Sequence, residues 1–252
     1  MKSWFEIMKE LYDEAKERGL WEKIRALLRG RKRILLLGAS GAGKTQFVES
    51  IADALTDRLS PIQRTVAVEK RKAIIHDYPF LMLDTPGQRM DEAKRKKAIT
   101  EAIGTGVEGI INVVCWGYHE ADEADRSKAI PSKGNLIAKP DYLKERRDIE
   151  LELLSEWVPW VDAGVSNWIL TLLTKADLWW PDNDNAIRRY YEDGEYATII
   201  RPTAISHSVV PYCSVIEPFY GTRTGGRFGD HQRAALRHHL LETLVRMSGI
   251  ER

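Results

Sequence analysis

Apolar and polar residues are arranged in two alternating patterns along this chain of 252 residues. Short apolar runs, typical of buried strands, alternate with longer stretches whose apolar residues recur at helical spacing. This alternation predicts an α/β fold with a mostly parallel sheet covered by helices on both faces. The predicted helices are 44–55, 91–103, 142–158 and 229–247. The predicted strands are 33–37, 66–76, 80–83, 109–116, 168–173 and 208–213. Of these, the strands 66–76 and 80–83 are expected to form one antiparallel edge of the sheet.

The start of the chain is amphipathic rather than strand-like. Apolar side chains recur at helical spacing over 3–28, which predicts one or two helices in an N-terminal extension over 1–30. The extension is expected to pack on the following domain or on a partner protein. The alternative is a helix that contacts a membrane surface peripherally, depending on bound nucleotide. One large domain is predicted over 31–252, with insertions near 117–141 and 215–228.

Composition narrows the functional class. With 43% hydrophobic and 30% charged residues the chain can bury a sizeable core, and a net charge of +1 does not favour binding to nucleic acid. No apolar run has the length of a membrane span and the start lacks signal-peptide features, so a cytoplasmic protein is expected. Cys115 and Cys213 lie in apolar runs and are predicted to be buried thiols, and the six histidines show no metal-ligand spacing.

Residues 38–45 read GASGAGKT, the pattern G-x-x-x-x-G-K-[ST], between a predicted strand and a predicted helix. The glycines let successive backbone N–H groups turn toward phosphate oxygens, and the helix N-terminus adds attraction for the anion. Lys44 is expected to neutralise the β- and γ-phosphates, and the Thr45 hydroxyl to ligate Mg²⁺. This phosphate-binding set, a Walker A P-loop, comprises Gly38, Ser40, Gly41, Ala42, Gly43, Lys44, Thr45 and Gln46.

A second segment, Asp84-Thr85-Pro86-Gly87, follows the strand at 80–83. An aspartate at a strand end beside a P-loop can hold Mg²⁺ through a water molecule. The N–H of Gly87 can approach a γ-phosphate, and that contact exists only with a triphosphate, so the segment after it is predicted to be a switch. Gln88 is predicted to orient an attacking water molecule.

Base recognition is predicted at Thr174-Lys175-Ala176-Asp177, directly after the strand at 168–173. The Asp177 carboxylate can accept hydrogen bonds from N1 and N2 of guanine, and adenine would leave it unpaired. The Lys175 stem would lie over the ring. The alternative is that Asp177 merely caps a helix.

The tryptophans and one basic run are the remaining features whose roles the sequence helps to predict. Trp157, Trp160 and Trp168 are predicted to be core residues, whereas Trp179 and Trp180 could cap the base or form a contact patch. The basic run at 93–98 is predicted to be a solvated helix face, with an acidic partner or an anionic surface as the alternative.

Together these segments resemble the motifs of the P-loop GTPases of the Ras-like and translation-factor class, which includes the small GTPases. The segment 38–45 is similar to the first motif, 84–87 to the third, and 174–177 to the fourth, with threonine in place of the commoner asparagine. Cys213-Ser214-Val215 resembles the fifth, in which backbone N–H groups read the guanine O6, so Ser214 and Val215 are base-binding candidates. Thr65 is the candidate for the switch I threonine, a ligand of Mg²⁺.

The resemblance implies a G domain with a six-stranded mixed sheet and Mg²⁺-dependent hydrolysis of GTP to GDP and phosphate. Gln88, Lys44 and Thr65 would be the catalytic residues, and Thr45, Thr65 and Asp84 would hold the metal. Turnover is expected to be slow without an arginine from a partner. The expected role is a molecular switch with an effector or activating protein, and the oligomeric state stays open. The alternatives are a structural nucleotide-binding subunit and an ATP-dependent enzyme.

Overall fold

The computed structural model describes residues 34–56, 80–82, 100, 107–120, 125–130, 138–161, 166–221 and 228–249. The strands are β1 (Ile34–Gly38), β2 (Phe80–Met82), β3 (Gly109–Val114), β4 (Trp168–Leu173) and β5 (Ser206–Pro211). The helices are α1 (Lys44–Thr56), α2 (Arg126–Ala129), α3 (Pro140–Trp157), α4 (Ala176–Glu192), α5 (Glu195–Ile200) and α6 (Asp230–Met247). Short 3-10 turns cover Val158–Trp160 and Arg201–Thr203.

These strands form one parallel sheet in the order β2-β1-β3-β4-β5. The predicted α/β fold with a parallel sheet is therefore confirmed. The expected sixth strand and its antiparallel edge at 66–76 lie outside the described residues. So do the N-terminal extension over 1–30 and, apart from Thr100, the helix predicted over 91–103.

The centre of the sheet is buried on both faces. Every residue of β1, β3 and β4 is buried, which explains why these strands are apolar throughout except at Asn112 and Thr171 and do not alternate. Helix α3 packs against β1, and α4 and α6 pack against β5. Among the helices that the structure describes, none is both long and apolar enough to cross a membrane.

Three helices, α2, α4 and α5, were not predicted from the sequence. Within α4, the run 181–185 reads PDNDN, and proline, aspartate and asparagine favour turns over helix interiors. The helix forms nevertheless, because its aromatic side chains are buried: Trp179 is 1% exposed and Tyr191 is fully buried. Tertiary packing here overrides local propensity.

Two sequence interpretations need correction. Trp160 is 38% exposed rather than part of the core, because α3 ends at Trp157 and the following 3-10 turn carries it outward. Trp179 is a core residue and not a cap for the base. The described parts of the insertion predicted near 117–141 include α2 and the buried residues Tyr118 and His119.

Candidate functional site

The loops that follow β1, β3, β4 and β5 lie at one edge of the sheet, because parallel strands share their carboxyl ends. The chain runs from β1 to a neighbour on one side, β2, and later to a neighbour on the other, β3. In open α/β sheets, ligands bind beside the carboxyl ends at the point where the strand order reverses in this way. The topology therefore places the predicted P-loop, which follows β1, at the position where a ligand crevice is expected.

The P-loop adopts a backbone that requires glycine. Gly38, Gly41 and Gly43 have φ angles of 137°, 76° and 93°, which L side chains rarely adopt. The buried Lys44 side chain begins α1, and its Nζ donates to the carbonyl oxygens of Gly38 and Ala39, each at 2.9 Å. These bonds hold the ammonium group over the loop, where it would meet a bound phosphate chain.

Thr174 joins the P-loop to the segment predicted to read the base. Its hydroxyl is 2.6 Å from the carbonyl oxygen of Ala42 in the P-loop and 2.9 Å from that of Val114 at the end of β3. The Thr174 carbonyl accepts a hydrogen bond from the Trp179 indole at 2.8 Å. Thr174, with 2% of its surface exposed, is thus a buried connector that fixes the spacing between the two loops.

Asp177 lies in the first turn of α4 and is 7% exposed. Its Oδ1 accepts a bond from the Cys213 thiol at 3.4 Å, and its Oδ2 accepts one from the Glu217 N–H at 3.2 Å. Burial raises the pKa of this carboxyl, and the two donors oppose the rise. The N-cap of α4 is Lys175, so the interpretation of Asp177 as a helix cap is wrong.

A carboxylate offers about four lone-pair positions, so these two donors leave room for a ligand with two further N–H groups. Guanine presents such a pair. The sequence did not single out the Cys213 side chain or Glu217 as supports of Asp177. Both belong to the loop after β5, and a signal for them was present in the resemblance of 213–215 to a base-reading motif.

Lys175 has a left-handed backbone, with φ of 54°, and its side chain crosses to the loop after β3. Its Nζ donates to the Tyr118 carbonyl at 2.7 Å and to Glu120 Oε2 at 2.9 Å. The other oxygen of Glu120 accepts a bond from the Tyr220 N–H at 2.6 Å. Glu120 therefore bridges the segment 174–177 and the loop after β5, a role that no local sequence pattern signalled.

The remaining predicted site residues divide into two groups. Gln46 donates through its side chain to Glu217 at 3.4 Å, while Ser214 and Val215 are half-buried in the same loop after β5. Thr45 is exposed at the start of α1. The structure thus brings the described candidates together at one edge of the sheet. The other candidates, Thr65, Asp84, Gly87 and Gln88, lie outside the described residues, as does the basic run at 93–98.

Replacing Glu120 by glutamine tests its bridging role. Glutamine keeps an acceptor for Tyr220 and loses the ionic bond to Lys175, so we expect a bound guanine nucleotide to dissociate about threefold to fivefold faster, as fits a partly exposed ion pair. Stopped-flow release of a fluorescent GDP analogue measures this rate. Glu145→Gln, at an exposed position of α3, is the matched control. An unchanged release rate in the Glu120 variant would contradict the role.

No protein-family model and no curated protein matches the chain. Among solved structures, the chain is similar to the ADP-ribosylation factor-like GTP-binding protein, or small COPII coat GTPase SAR1, of Encephalitozoon cuniculi in complex with GDP. That alignment has 14% identity, covers 98% of this chain and 95% of that one, and has a TM-score of 0.39. The chain is also similar to the GTPase-like domain of Ski7 from S. cerevisiae, bound to GDP and inorganic phosphate, with 13% identity and a TM-score of 0.38.

The Ski7 alignment covers 83% of this chain and half of the Ski7 chain. The site of this chain has a glycine-dependent P-loop after β1, a parallel sheet whose order reverses there, and a hydrogen bond from the Thr174 hydroxyl to the P-loop carbonyl of Ala42. In its motifs at 38–45 and 174–177 the chain resembles the P-loop GTPases.

Proposed function

We propose that this chain is a Mg²⁺-dependent GTP-binding and GTP-hydrolysing molecular switch that engages a protein partner in its GTP state. The observation that carries the proposal is the hydrogen bond from Thr174 to the Ala42 carbonyl. This bond sets a phosphate-binding loop and a potential guanine-reading carboxylate at a fixed separation.

The described residues fit a bound GTP–Mg²⁺ complex. The P-loop N–H groups and the positive end of α1 would hold the phosphate chain, and Lys44 would face its β- and γ-oxygens. Thr45, exposed at the start of α1, would contribute its hydroxyl oxygen to Mg²⁺. When bound, Mg²⁺ supplies positive charge that offsets the charge developing on the phosphates.

In the proposed reaction, a water molecule attacks the γ-phosphorus and the bond to the bridging oxygen breaks, which yields GDP and phosphate. Gln88 would orient the water, the Thr65 backbone would help to hold it, and Asp84 would support Mg²⁺ through a water molecule. The Gly87 N–H would sense the γ-phosphate. These four roles are predictions from the sequence and its resemblance.

The domain boundaries, partner and location belong to the same proposal. Residues 31–252 would form the G domain, and the segment 1–30 would supply a helical extension that packs on the domain or a partner. The basic run at 93–98, directly after the proposed switch, would be accessible to a partner that distinguishes GTP from GDP. A cytoplasmic location is part of the same proposal.

The deciding experiment compares GTP and ATP, measuring both binding and single-turnover hydrolysis by the purified chain with Mg²⁺. We expect slow GTP turnover, no preference for ATP, and loss of turnover in Lys44→Ala, which removes the phosphate-facing charge. Lys144→Ala, at an exposed position of α3, is the matched control. Tight GTP binding without turnover would instead indicate a structural nucleotide-binding subunit. A preference for ATP would overturn the assignment of Asp177 and the proposal with it.

A further inference from the structure

Three chemically reactive side chains lie together beneath the loop that follows β3. They are Cys115 at the end of β3, His119 in the loop and Glu150 on α3, with exposed fractions of 0%, 1% and 3%. The thiol sulfur, a ring nitrogen and a carboxylate oxygen all lie within 4.8 Å of one another. None of the three residues is part of the nucleotide site proposed above.

His119 is the residue that an ordinary core does not explain. Both of its ring nitrogens are buried, and neither makes a well-formed hydrogen bond with the residues that the structure describes, the Gly117 backbone being only a weak neighbour. Its Nε2 is 3.5 Å from Oε1 of Glu150, at the limit of a hydrogen bond. Buried polar atoms in proteins almost always have a partner, and an unpaired one calls for an explanation such as a bound ion.

We infer that Cys115, His119 and Glu150 bind one divalent cation of the zinc class. Thiolate, imidazole and carboxylate are the ligands that zinc takes in proteins. At zinc bond lengths of about 2.0–2.1 Å, two ligand atoms on one tetrahedral ion lie about 3.4 Å apart. The observed distance of 3.5 Å between the nitrogen and the carboxylate oxygen is close to this value. The Cys115 sulfur, which lies within 4.8 Å of both atoms, would move closer to them on binding the ion.

Charge and coordination number also fit. A thiolate and a carboxylate together balance the two positive charges of the ion, so the complex is neutral and its burial carries no uncompensated charge. Three protein ligands leave a fourth tetrahedral position for a water molecule.

The groups around the cluster hold the ligands in place. Glu150 accepts hydrogen bonds from the Cys115 N–H at 2.9 Å and from the Tyr191 hydroxyl at 2.6 Å. The Tyr142 hydroxyl donates to the His119 carbonyl at 2.7 Å. Carboxylates that ligate metals are commonly supported by such hydrogen bonds. The loop braced in this way is the one whose Tyr118 carbonyl and Glu120 side chain hold Lys175.

Cobalt(II) titration of the full chain tests the site, because Co²⁺ occupies zinc sites and its bond to a thiolate absorbs in the near ultraviolet. The untagged chain is treated with a chelator, checked for folding by circular dichroism, and titrated first with Co²⁺ and then with Zn²⁺. We expect one Co²⁺ per chain, a thiolate charge-transfer band, and bleaching of that band by Zn²⁺. Zn²⁺ alone should raise the midpoint of thermal unfolding, because it binds the folded state.

Matched variants locate the ion. Cys115→Ser should abolish the charge-transfer band, and His119→Ala should weaken Co²⁺ binding. Cys213→Ser, which alters the other cysteine of the chain, should retain the band. The absence of any thiolate band in the folded wild-type chain would overturn the inference without recourse to a variant. A band that survives in Cys115→Ser or disappears in Cys213→Ser would also overturn it.

Discussion

Asp177→Asn should lower the affinity for GTP by about 10²–10⁴-fold and create affinity for xanthosine triphosphate. Guanine would lose two hydrogen bonds to a charged acceptor, each worth about 1.5–3 kcal/mol. Xanthine carries a carbonyl where guanine carries its 2-amino group, so the asparagine amide can donate to it. Equilibrium binding of both nucleotides to the variant and to the wild-type chain measures the exchange of preference.

The structure indicates that Asp177→Asn will fold. The side-chain oxygen of the asparagine can still accept the hydrogen bond from the Glu217 N–H. The side-chain NH₂ group can donate a hydrogen bond to the Cys213 sulfur. Thermal unfolding checks this point separately from binding. Asp148→Asn, on an exposed part of α3, is the matched control and should leave both affinities unchanged. A folded Asp177 variant that still prefers GTP would show that the base is read elsewhere.

Gly38→Ala should destabilise the fold itself. The φ angle of Gly38 is 137°, and a Cβ added there would lie 2.3 Å from the carbonyl oxygen of Val113. Gly38 is paired with Val113 in the central ladder between β1 and β3, so neither backbone can move without separating buried strands. We expect a loss of about 4 kcal/mol or more, since large effects of this kind come from clashes and backbone strain in the core.

For a chain of this size, that loss corresponds to a fall of about 8–16 °C in the midpoint of thermal unfolding. The variant Gly249→Ala separates the cost of the steric clash from the cost of backbone strain. Its φ angle is also positive, at 68°, but an added Cβ would meet nothing within 4 Å, so only backbone strain remains. This control should cost about 1–2 kcal/mol. Equal effects at the two positions would contradict the explanation by steric clash.

Contiguous patterns predicted much of the fold. The strand predicted over 168–173 has the observed bounds, and the helix predicted over 44–55 ends one residue later in the structure. Such elements are encoded locally, because a buried strand needs an unbroken apolar run and a helix beginning at a P-loop needs glycines before it. By contrast, the sequence did not predict α4, because its run of turn-forming residues at 181–185 masks the helical pattern. The helix forms because its aromatic side chains are packed in the core.

In the candidate site, too, some features are encoded locally and others depend on the tertiary structure. The sequence by itself determined the P-loop and the segment 174–177, because each is a short run whose residue types suffice to suggest its chemistry. Only the tertiary structure decided that the Thr174 hydroxyl bonds to Ala42, that Glu120 holds Lys175, and that Glu150 lies beside Cys115 and His119. These partners are separated by 31 to 132 residues, and no local pattern encodes them. Parallel strands bring their carboxyl ends to one edge, and this convergence makes distant loops into neighbours.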